Sequence, residues 1–215
     1  NVQQHLLHQG GVHRGHQQLL RGGHLHVVAG VPPAEFRRTA GNTLLFYPNA
    51  RENRTYRIPD GIAAISAYAF YDCDLLESVV IPDSITQIPE RAFYGCSALA
   101  SVSLPDSLTE IGTAAFSGCS ALTGIRIPAA ITEIINHTFS GCTSLATLEI
   151  PDSVTIIGGD AFFGCTSLTS MTIPDSVTEI GANPFLHSGL QSINLSLDNP
   201  NFAVVDGALV RKADN

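Results

Sequence analysis

Charged side chains are scarce in this sequence: Asp, Glu, Lys and Arg make up 14% of its 215 residues, against about a quarter in ordinary soluble domains. Basic residues are the rarer kind, because 11 Lys and Arg stand against 19 Asp and Glu, a formal net charge of −8. This balance argues against nucleic acid or an anionic membrane as the main partner, since both require a basic surface. No apolar run approaches the ~18 residues of a transmembrane helix, so no membrane insertion is expected from this chain.

Motifs that carry catalysis are also absent. The sequence contains neither G-x-S-x-G nor H-E-x-x-H, and no Gly-rich loop of the P-loop type follows a strand-like segment. The repeats described next are so alike that no single coil differs enough to build a deep catalytic pocket. We therefore expect a non-enzymatic protein without a cofactor.

What the chain does contain is a repeat with a period of 23 residues. Six Ile-Pro or Leu-Pro dipeptides begin at Ile58, Ile81, Leu104, Ile127, Ile150 and Ile173. Phenylalanine keeps the same step at Phe70, Phe93, Phe116, Phe139, Phe162 and Phe185. We number the repeats 1 to 6 from these dipeptides. A fixed period of this length is typical of a solenoid, in which each coil buries its apolar side only against its neighbours.

Each repeat has the same internal order of signals. Leu99, Val102 and Leu104 alternate with polar residues, as in a half-buried strand. Pro then ends the strand because it cannot donate to a ladder, and Asp-Ser supplies turn chemistry. A second apolar pair, such as Val177 and Ile180, predicts another brief strand. The segment Ala-x-x-Phe-x-Gly-Cys predicts a helical turn closed by Gly.

The pattern L-x-x-L-x-L, with I-P-x-S-V-T-x-I-G-x-x-A-F-x-G-C, covers residues 58–195. It resembles the BspA-like (Treponema pallidum-type) leucine-rich-repeat family with its 23-residue repeats. The resemblance implies a right-handed β/α solenoid with parallel strands on one face and short strands and helical turns on the other. Residues 41–57 are similar to the lead-in of such an array, and residues 196–215 to its terminal module or to the start of a following block. The natural protein is therefore expected to be longer.

Residues 1–40 do not share the repeat. This His-, Gly- and Gln-rich segment holds six of the eight histidines and one acidic residue, Glu35, which predicts a disordered or non-native segment. The histidine pairs are His5 and His8, His13 and His16, and His24 and His26. Imidazoles bind transition metals, but no Cys, Asp or Glu stands beside them at ligand spacing, so no metal site is expected.

Cysteine and aspartate also recur at equivalent positions of the repeats, and these side chains could form disulfides or bind a metal ion. The cysteines are Cys73, Cys96, Cys119, Cys142 and Cys165. Parallel Cβ vectors and an odd count disfavour disulfides, so we expect a buried column of packed thiols. The recurring aspartates offer one carboxylate per coil, whereas calcium requires six to eight converging oxygens; we expect them to cap turns.

The informative surface is the outward face of the predicted parallel strands. This candidate binding face consists of Ser78, Val80, Ser101, Ser103, Gly124, Arg126, Thr147, Glu149, Ser170, Thr172, Ser192 and Asn194. It is small and polar, with one charged pair, Arg126 and Glu149, in adjacent coils. An alternative aromatic face on the turn side consists of Tyr68, Tyr71, Tyr94 and Phe163.

The resemblance implies a cell-surface or secreted microbial protein that binds proteins of a host or of other cells in adhesion. Solenoids commonly use such a strand face for extended partners. Two alternatives stay open: a structural spacer within a larger surface protein, and a carbohydrate-binding surface. The spacer is favoured by the scarcity of aromatic residues on the strand face, and the carbohydrate surface by the aromatic residues on the turn side.

Overall fold

The computed structural model describes residues 17–20, 24–27, 42–49 and 53–213. Strands β1 (Gln17–Leu20) and β2 (His24–Val27) pair antiparallel. Both strands lie within the segment 1–40, for which a disordered or non-native segment was expected. Its remaining residues, with His5, His8, His13 and His16, lie outside the described ranges.

The repeats coil into a solenoid whose main strands are parallel. These strands are β4 (Thr55–Arg57), β6 (Ser78–Val80), β8 (Ser101–Ser103), β10 (Gly124–Arg126), β12 (Thr147–Glu149), β14 (Ser170–Thr172) and β16 (Ser192–Asn194). Val79 faces Val102, one repeat further on, and Ile125 faces Leu148. The period of 23 residues therefore equals one coil, and the predicted leucine-rich-repeat solenoid is confirmed.

A second set of short parallel strands lies beyond the turns that follow the main strands. It consists of β3 (Asn42–Leu44), β5 (Ile62–Ile65), β7 (Gln87–Ile88), β9 (Glu110–Ile111), β11 (Glu133–Ile134), β13 (Ile156–Ile157) and β15 (Glu179–Ile180). The serine hydroxyls at these turns link neighbouring coils: Ser84 donates to the carbonyl oxygen of Ile62 at 2.6 Å, and Ser153 to that of Ile131 at 2.6 Å. The predicted turn chemistry therefore also joins one coil to the next.

In the core, equivalent side chains of successive coils stack on one another and form columns. The phenylalanines from Phe70 to Phe162 are fully buried, and consecutive rings stack with centroids 4.7–5.8 Å apart. Tyr47 extends the stack before Phe70, and the half-buried Phe185 ends it. Rings at this spacing both bury apolar area and interact through their faces.

The turn side differs from the sequence prediction. In place of a helix, the segment around each Phe forms successive hydrogen bonds between residues three apart, such as that from the Cys96 N–H to the Phe93 carbonyl oxygen at 3.3 Å. Among the described residues of the repeats, none is helical. The reason lies in the backbone: Tyr68 has φ 62° and Arg91 has φ 51°, and the same position is left-handed in every repeat, which a right-handed helix does not allow.

The cysteine prediction is confirmed. All five thiols are free and buried. Burial is the main reason that the pKa of the Cys165 thiol is raised to about 12, and burial also raises the pKa of the Cys142 and Cys119 thiols. These groups are therefore neutral core side chains.

The array ends in a changed coil. Met171 in β14 pairs with Ile193 in β16, a step one residue shorter than that between the other main strands. Beyond it, β17 (Phe202–Val205) and β18 (Ala208–Arg211) form an antiparallel hairpin. Its turn is Asp206-Gly207, with both φ angles positive, as a two-residue hairpin of type I′ requires.

Candidate functional site

The main strands alternate between core and solvent, as their spacing predicted. In β14 the central Met171 is buried while Ser170 and Thr172 are exposed. The outward positions form one continuous strip of mostly small polar side chains. Exposed members are Ser101, Ser103, Arg126, Thr147, Glu149, Ser170, Thr172, Ser192 and Asn194, and half-buried members are Ser78, Val80 and Gly124. The structure thus brings all twelve predicted residues onto one face.

The charged pair on this face is arranged differently from the expectation. Arg126 and Glu149 lie side by side in the parallel register. The Arg126 guanidinium, however, donates to the Asp106 carboxylate at 2.6 Å, and this hydrogen bond raises the pKa of Arg126. Asp106 lies 20 residues earlier in the chain, at the turn beyond the strands. Arg126 is therefore already neutralised within the protein, whereas Glu149 forms no ion pair with any residue of 53–213.

The sheet beneath this face is interrupted twice. Ladder hydrogen bonds join β4, β6 and β8, then β10 and β12, then β14 and β16, but none joins β8 to β10 or β12 to β14. Val102 and Leu148, the central residues of β8 and β12, are half-buried, whereas Val79, Ile125 and Met171 are buried. The apolar interior therefore reaches the surface beside each interruption.

A shallow groove of about 1140 Å³ lies over the interrupted region. It extends across β8, β10, β12 and β14. Two small residues lie along it: Gly124 occupies the position of Ser101 and Thr147, and Ala129 occupies that of Asp106 and Asp152. The groove therefore includes two positions whose side chains are shorter than those of the same columns in the adjacent coils.

A second groove of about 510 Å³ lies over the earlier coils at the strand-to-turn junction. Its charged lining residues are Arg57, Asp60, Asp83, Asp106 and Arg126. Arg57 pairs with Asp60 at 3.2 Å, and Arg126 with Asp106. This groove is smaller and mainly polar, and most of its charges are paired internally.

The turn side carries a compact aromatic cluster at repeats 1 and 2. Tyr71 and Tyr94 stack with centroids 5.1 Å apart and an interplanar angle of 7°. Tyr68 lies 5.8 Å from Tyr71. Arg91 donates to the Tyr68 hydroxyl at 2.8 Å and to the Glu90 carboxylate at 2.8 Å. Tyr68 and Tyr71 are exposed, so three of the four predicted aromatic residues meet in one solvent-facing group.

Phe163 does not join this group. It belongs to the same column as Tyr94 but lies three coils further along, beyond Ser117 and Ser140. Its ring contacts His187 edge to face at 5.3 Å. The alternative aromatic face therefore divides into a tyrosine cluster and a separate Phe163 contact.

No group of three or more His, Cys, Asp or Glu side chains is arranged to hold a metal ion in the described part of the chain. Of the turn aspartates, Asp175 accepts hydrogen bonds from the Ser196 hydroxyl and the Asn199 side-chain amide of the following module, so it joins that module to the array; the expected capping of turns stays a prediction. His24 and His26 lie in β2. The described residues include no helix that is long and apolar enough to cross a membrane.

Sequence reasoning missed several residues that shape these surfaces. Asp106 and Asp152 were assigned only to turns, and Val102 and Leu148 only to the core. Ala129 and Gly124 are visible departures from the residue types of their columns. A search for small residues in otherwise constant columns would have located the larger groove.

The fold and its strand face define a leucine-rich-repeat solenoid. A family model described as the BspA type leucine rich repeat region matches the chain in six copies, with matched residues 132–202. The repeats of this chain are therefore of the BspA type, as their sequence pattern predicted. A search of curated proteins finds no match.

Solved bacterial structures are similar along most of the chain. A leucine rich cell surface protein of Faecalibacterium prausnitzii A2-165 is 32% identical, with a TM-score of 0.71, over 92% of this chain and 50% of its own. A leucine-rich repeat protein of Bacteroides ovatus is 26% identical, with a TM-score of 0.58, over 72% of this chain and 42% of its own. The pneumococcal vaccine antigen PcpA, 22% identical with a TM-score of 0.63, shares the fold over 81% of this chain and 50% of its own. The chain thus spans about half the length of these proteins.

Proposed function

We propose that this chain is a non-enzymatic protein-binding module of a bacterial cell-surface or secreted protein, and that it acts in adhesion to host proteins or to other cells. The observation that carries the proposal is the strip of outward side chains on the main strands, from Ser78 to Asn194, which is exposed except at three half-buried positions. An extended strip of this kind offers many weak polar contacts to an elongated partner.

The location rests on similarity. The Faecalibacterium prausnitzii relative is described as a cell surface protein, and its repeats and fold resemble those of this chain. A low-charge surface of serine, threonine and asparagine side chains also suits a protein that binds through hydrogen bonds and shape. Each such hydrogen bond contributes only about 0.5–1.5 kcal/mol net, so affinity must come from the length of the contact.

A binding screen tests the proposal. The full chain would be immobilised and exposed to purified extracellular-matrix proteins and cell-surface proteins, and saturable binding would be measured. The double variant Arg126→Glu/Glu149→Arg keeps the net charge while it inverts the charge pattern of the face and places a like charge beside Asp106. We expect it to weaken a true ligand about tenfold or more, with little change in stability, because exposed ion pairs contribute about 0–1 kcal/mol.

A matched control places the same change elsewhere. Arg91 and Glu90 lie on the turn side, and Arg91→Glu/Glu90→Arg should leave binding to the strand face unchanged. If no protein binds above background, or if both double variants bind like the original chain, the strand face is not the site. The chain would then be better described as a spacer that carries other parts of a larger protein.

A carbohydrate-binding surface is a second candidate, favoured by the tyrosine cluster. Sugar rings stack on aromatic faces, and Arg91 and Glu90 beside Tyr68 could exchange hydrogen bonds with sugar hydroxyls. A glycan array screened with the full chain tests this candidate. Binding lost in Tyr68→Ala/Tyr94→Ala but kept in Arg126→Glu/Glu149→Arg would support it, whereas the absence of any glycan signal would remove it.

A further inference from the structure

One boundary between neighbouring coils lacks ladder hydrogen bonds in both sets of strands. Within residues 53–213, no ladder joins β8 to β10, and none joins β9 to β11. At every other interruption one ladder continues: β13 pairs with β15 beside the break between β12 and β14, and β4 pairs with β6 beside the break between β5 and β7. We call the boundary between the coil of β8 and β9 and the coil of β10 and β11 the central junction.

The residue that follows each short strand explains the missing second ladder. This residue is Gly112 after β9 and Gly158 after β13, but Ile135 after β11. The Gly112 N–H donates to the Ile88 carbonyl oxygen at 2.7 Å, and a Cβ atom at Gly112 would lie 2.5 Å from the backbone nitrogen of Glu90. Because Ile135 carries a Cβ, its coil must stand further from the preceding one, and its N–H donates to no carbonyl oxygen of that coil within 53–213.

A second departure removes a hydroxyl link from the same boundary. Ser107 and Ser153 each donate to a carbonyl oxygen of the preceding coil, but the equivalent position in the coil of β11 is Ala130. Alanine has no hydroxyl to donate. The backbone agrees: the Thr155 N–H donates to the Thr132 carbonyl oxygen at 2.8 Å, whereas the Thr132 N–H makes no such bond to the preceding coil within 53–213. The central junction is therefore loosely bonded on both strand sides.

The turn side of the central junction remains fully bonded. The Gly118 N–H donates to the Ser140 carbonyl oxygen at 2.7 Å, and the Phe116 N–H donates to the Thr138 carbonyl oxygen at 3.0 Å. The rings of Phe116 and Phe139 stack across the boundary with centroids 5.8 Å apart. The two coils are thus fastened along one side and loose along the other two.

One ion pair crosses the central junction on the main-strand side. Arg126 of β10 donates to Asp106, in the turn after β8, at 2.6 Å. No other ion pair within 53–213 crosses this boundary. Both side chains are exposed, at 72% and 81%, and an exposed ion pair is weak and is screened by salt. It can therefore close the boundary without locking it.

We infer that the central junction is a hinge. The turn side is its axis, the two strand sides open and close about that axis, and the ion pair between Arg126 and Asp106 is its latch. Coils of a solenoid contact only their neighbours, so one loosely bonded boundary lets the parts on either side move as two blocks. The movement changes the angle between the strand face up to Ser103 and the strand face from Gly124 onward. This inference goes beyond the proposed function, and its test requires no ligand.

The test measures distances between spin labels in the full chain by double electron–electron resonance. One cysteine pair, Thr55→Cys/Thr147→Cys, spans the central junction on the main-strand side, and a matched pair, Asp74→Cys/Thr166→Cys, spans it on the turn side. All four positions are exposed, and the members of each pair are separated by four repeats, or roughly 19 Å at the usual spacing of strands. The five native cysteines are buried, so brief labelling of the folded chain modifies the introduced thiols.

We expect the distance distribution of the main-strand pair to be about twice as wide as that of the turn-side pair. Arg126→Gln removes the latch and should widen the main-strand distribution further, as should added salt. Arg57→Gln is the matched control, because it removes an exposed ion pair between Arg57 and Asp60 that lies within one coil. It should leave both distributions unchanged.

A restoring variant tests the cause of the opening. Ala130→Ser/Ile135→Gly gives the coil of β11 the residue types of the adjacent coils and should narrow the main-strand distribution to the width of the turn-side one. Equal widths for the two label pairs in the original chain would overturn the inference. Equal effects of Arg126→Gln and Arg57→Gln would overturn it as well, and this comparison holds even if the restoring variant does not fold.

Discussion

The thiol of Cys119 donates a hydrogen bond of 3.2 Å to the carbonyl oxygen of Phe93, in the preceding coil. The same contact recurs from Cys142 to Phe116, also at 3.2 Å. The cysteine column therefore links consecutive coils in the core, at carbonyl oxygens that also accept a backbone N–H from their own turn. A small, weakly polar thiol suits this position because it packs as an apolar group and still donates a hydrogen bond.

The first prediction is a loss of stability at alkaline pH. Burial keeps the folded-state pKa of Cys165, at about 12, and of Cys119 and Cys142 above the value of an unfolded thiol, which is about 8.5. Above that pH the unfolded chain holds fewer protons than the folded chain, so the free energy of unfolding falls as pH rises. Each thiol contributes up to ~1.4 kcal/mol per pH unit. Urea unfolding between pH 7 and pH 10 measures this slope.

The control for this prediction is Cys165→Ala. The variant is expected to be less stable at every pH, but its stability should fall less steeply above pH 8.5, the unfolded thiol value. Equal slopes in both proteins would mean that the buried thiols do not cause the alkaline loss.

The second prediction concerns thiol reactivity. Because all five cysteines are buried, Ellman's reagent should react slowly with the folded chain and at once with the chain in denaturant. The rate in the folded chain should follow the opening of coils and rise with added urea. Rapid reaction of all five thiols without urea would contradict the buried column.

The third prediction concerns the phenylalanine stack. Phe116→Ala removes a ring that contacts one ring on each side, at 5.3 Å and 5.8 Å, and should lower the free energy of unfolding by about 3–5 kcal/mol. Phe185→Ala removes the half-buried last ring of the stack and should cost clearly less. Urea midpoints of the two variants measure the difference, and equal losses would show that the stack is not the continuous core described here.

The fourth prediction concerns two glycines with a left-handed backbone, Gly118 on the turn side and Gly207 in the terminal hairpin. Gly118 has φ 78°, and a Cβ there would lie 3.3 Å from the Cα of Gly95. Gly118→Ala combines backbone strain with a clash between coils and should cost about 2–4 kcal/mol. Gly207 has φ 80° with no atom within 4 Å of such a Cβ. Gly207→Ala therefore tests strain alone and should cost about 1–2 kcal/mol; thermal unfolding of both variants separates the two effects.

Sequence spacing predicted much of the fold because the relevant signals are local and repeated. Met171 lies inward and Thr172 outward, as strand alternation requires. Sequence spacing did not predict the left-handed backbone at Tyr68 and Arg91, because neither residue type favours that conformation. The predicted helical turn does not form there because the backbone N–H groups of this segment bond to the next coil. The Phe93 N–H, for example, donates to the Ala115 carbonyl oxygen at 2.9 Å.

The sequence alone determined the coil length, the core columns and the twelve residues of the strand face, since a period of 23 residues places equivalent side chains on equivalent sides of every coil. Only the tertiary structure decided that Arg126 binds Asp106, that the ladder stops beside Val102 and Leu148, and that Tyr68 meets Arg91. These features depend on the distance between neighbouring coils and on side-chain direction. Both vary from coil to coil while the repeat spacing stays constant.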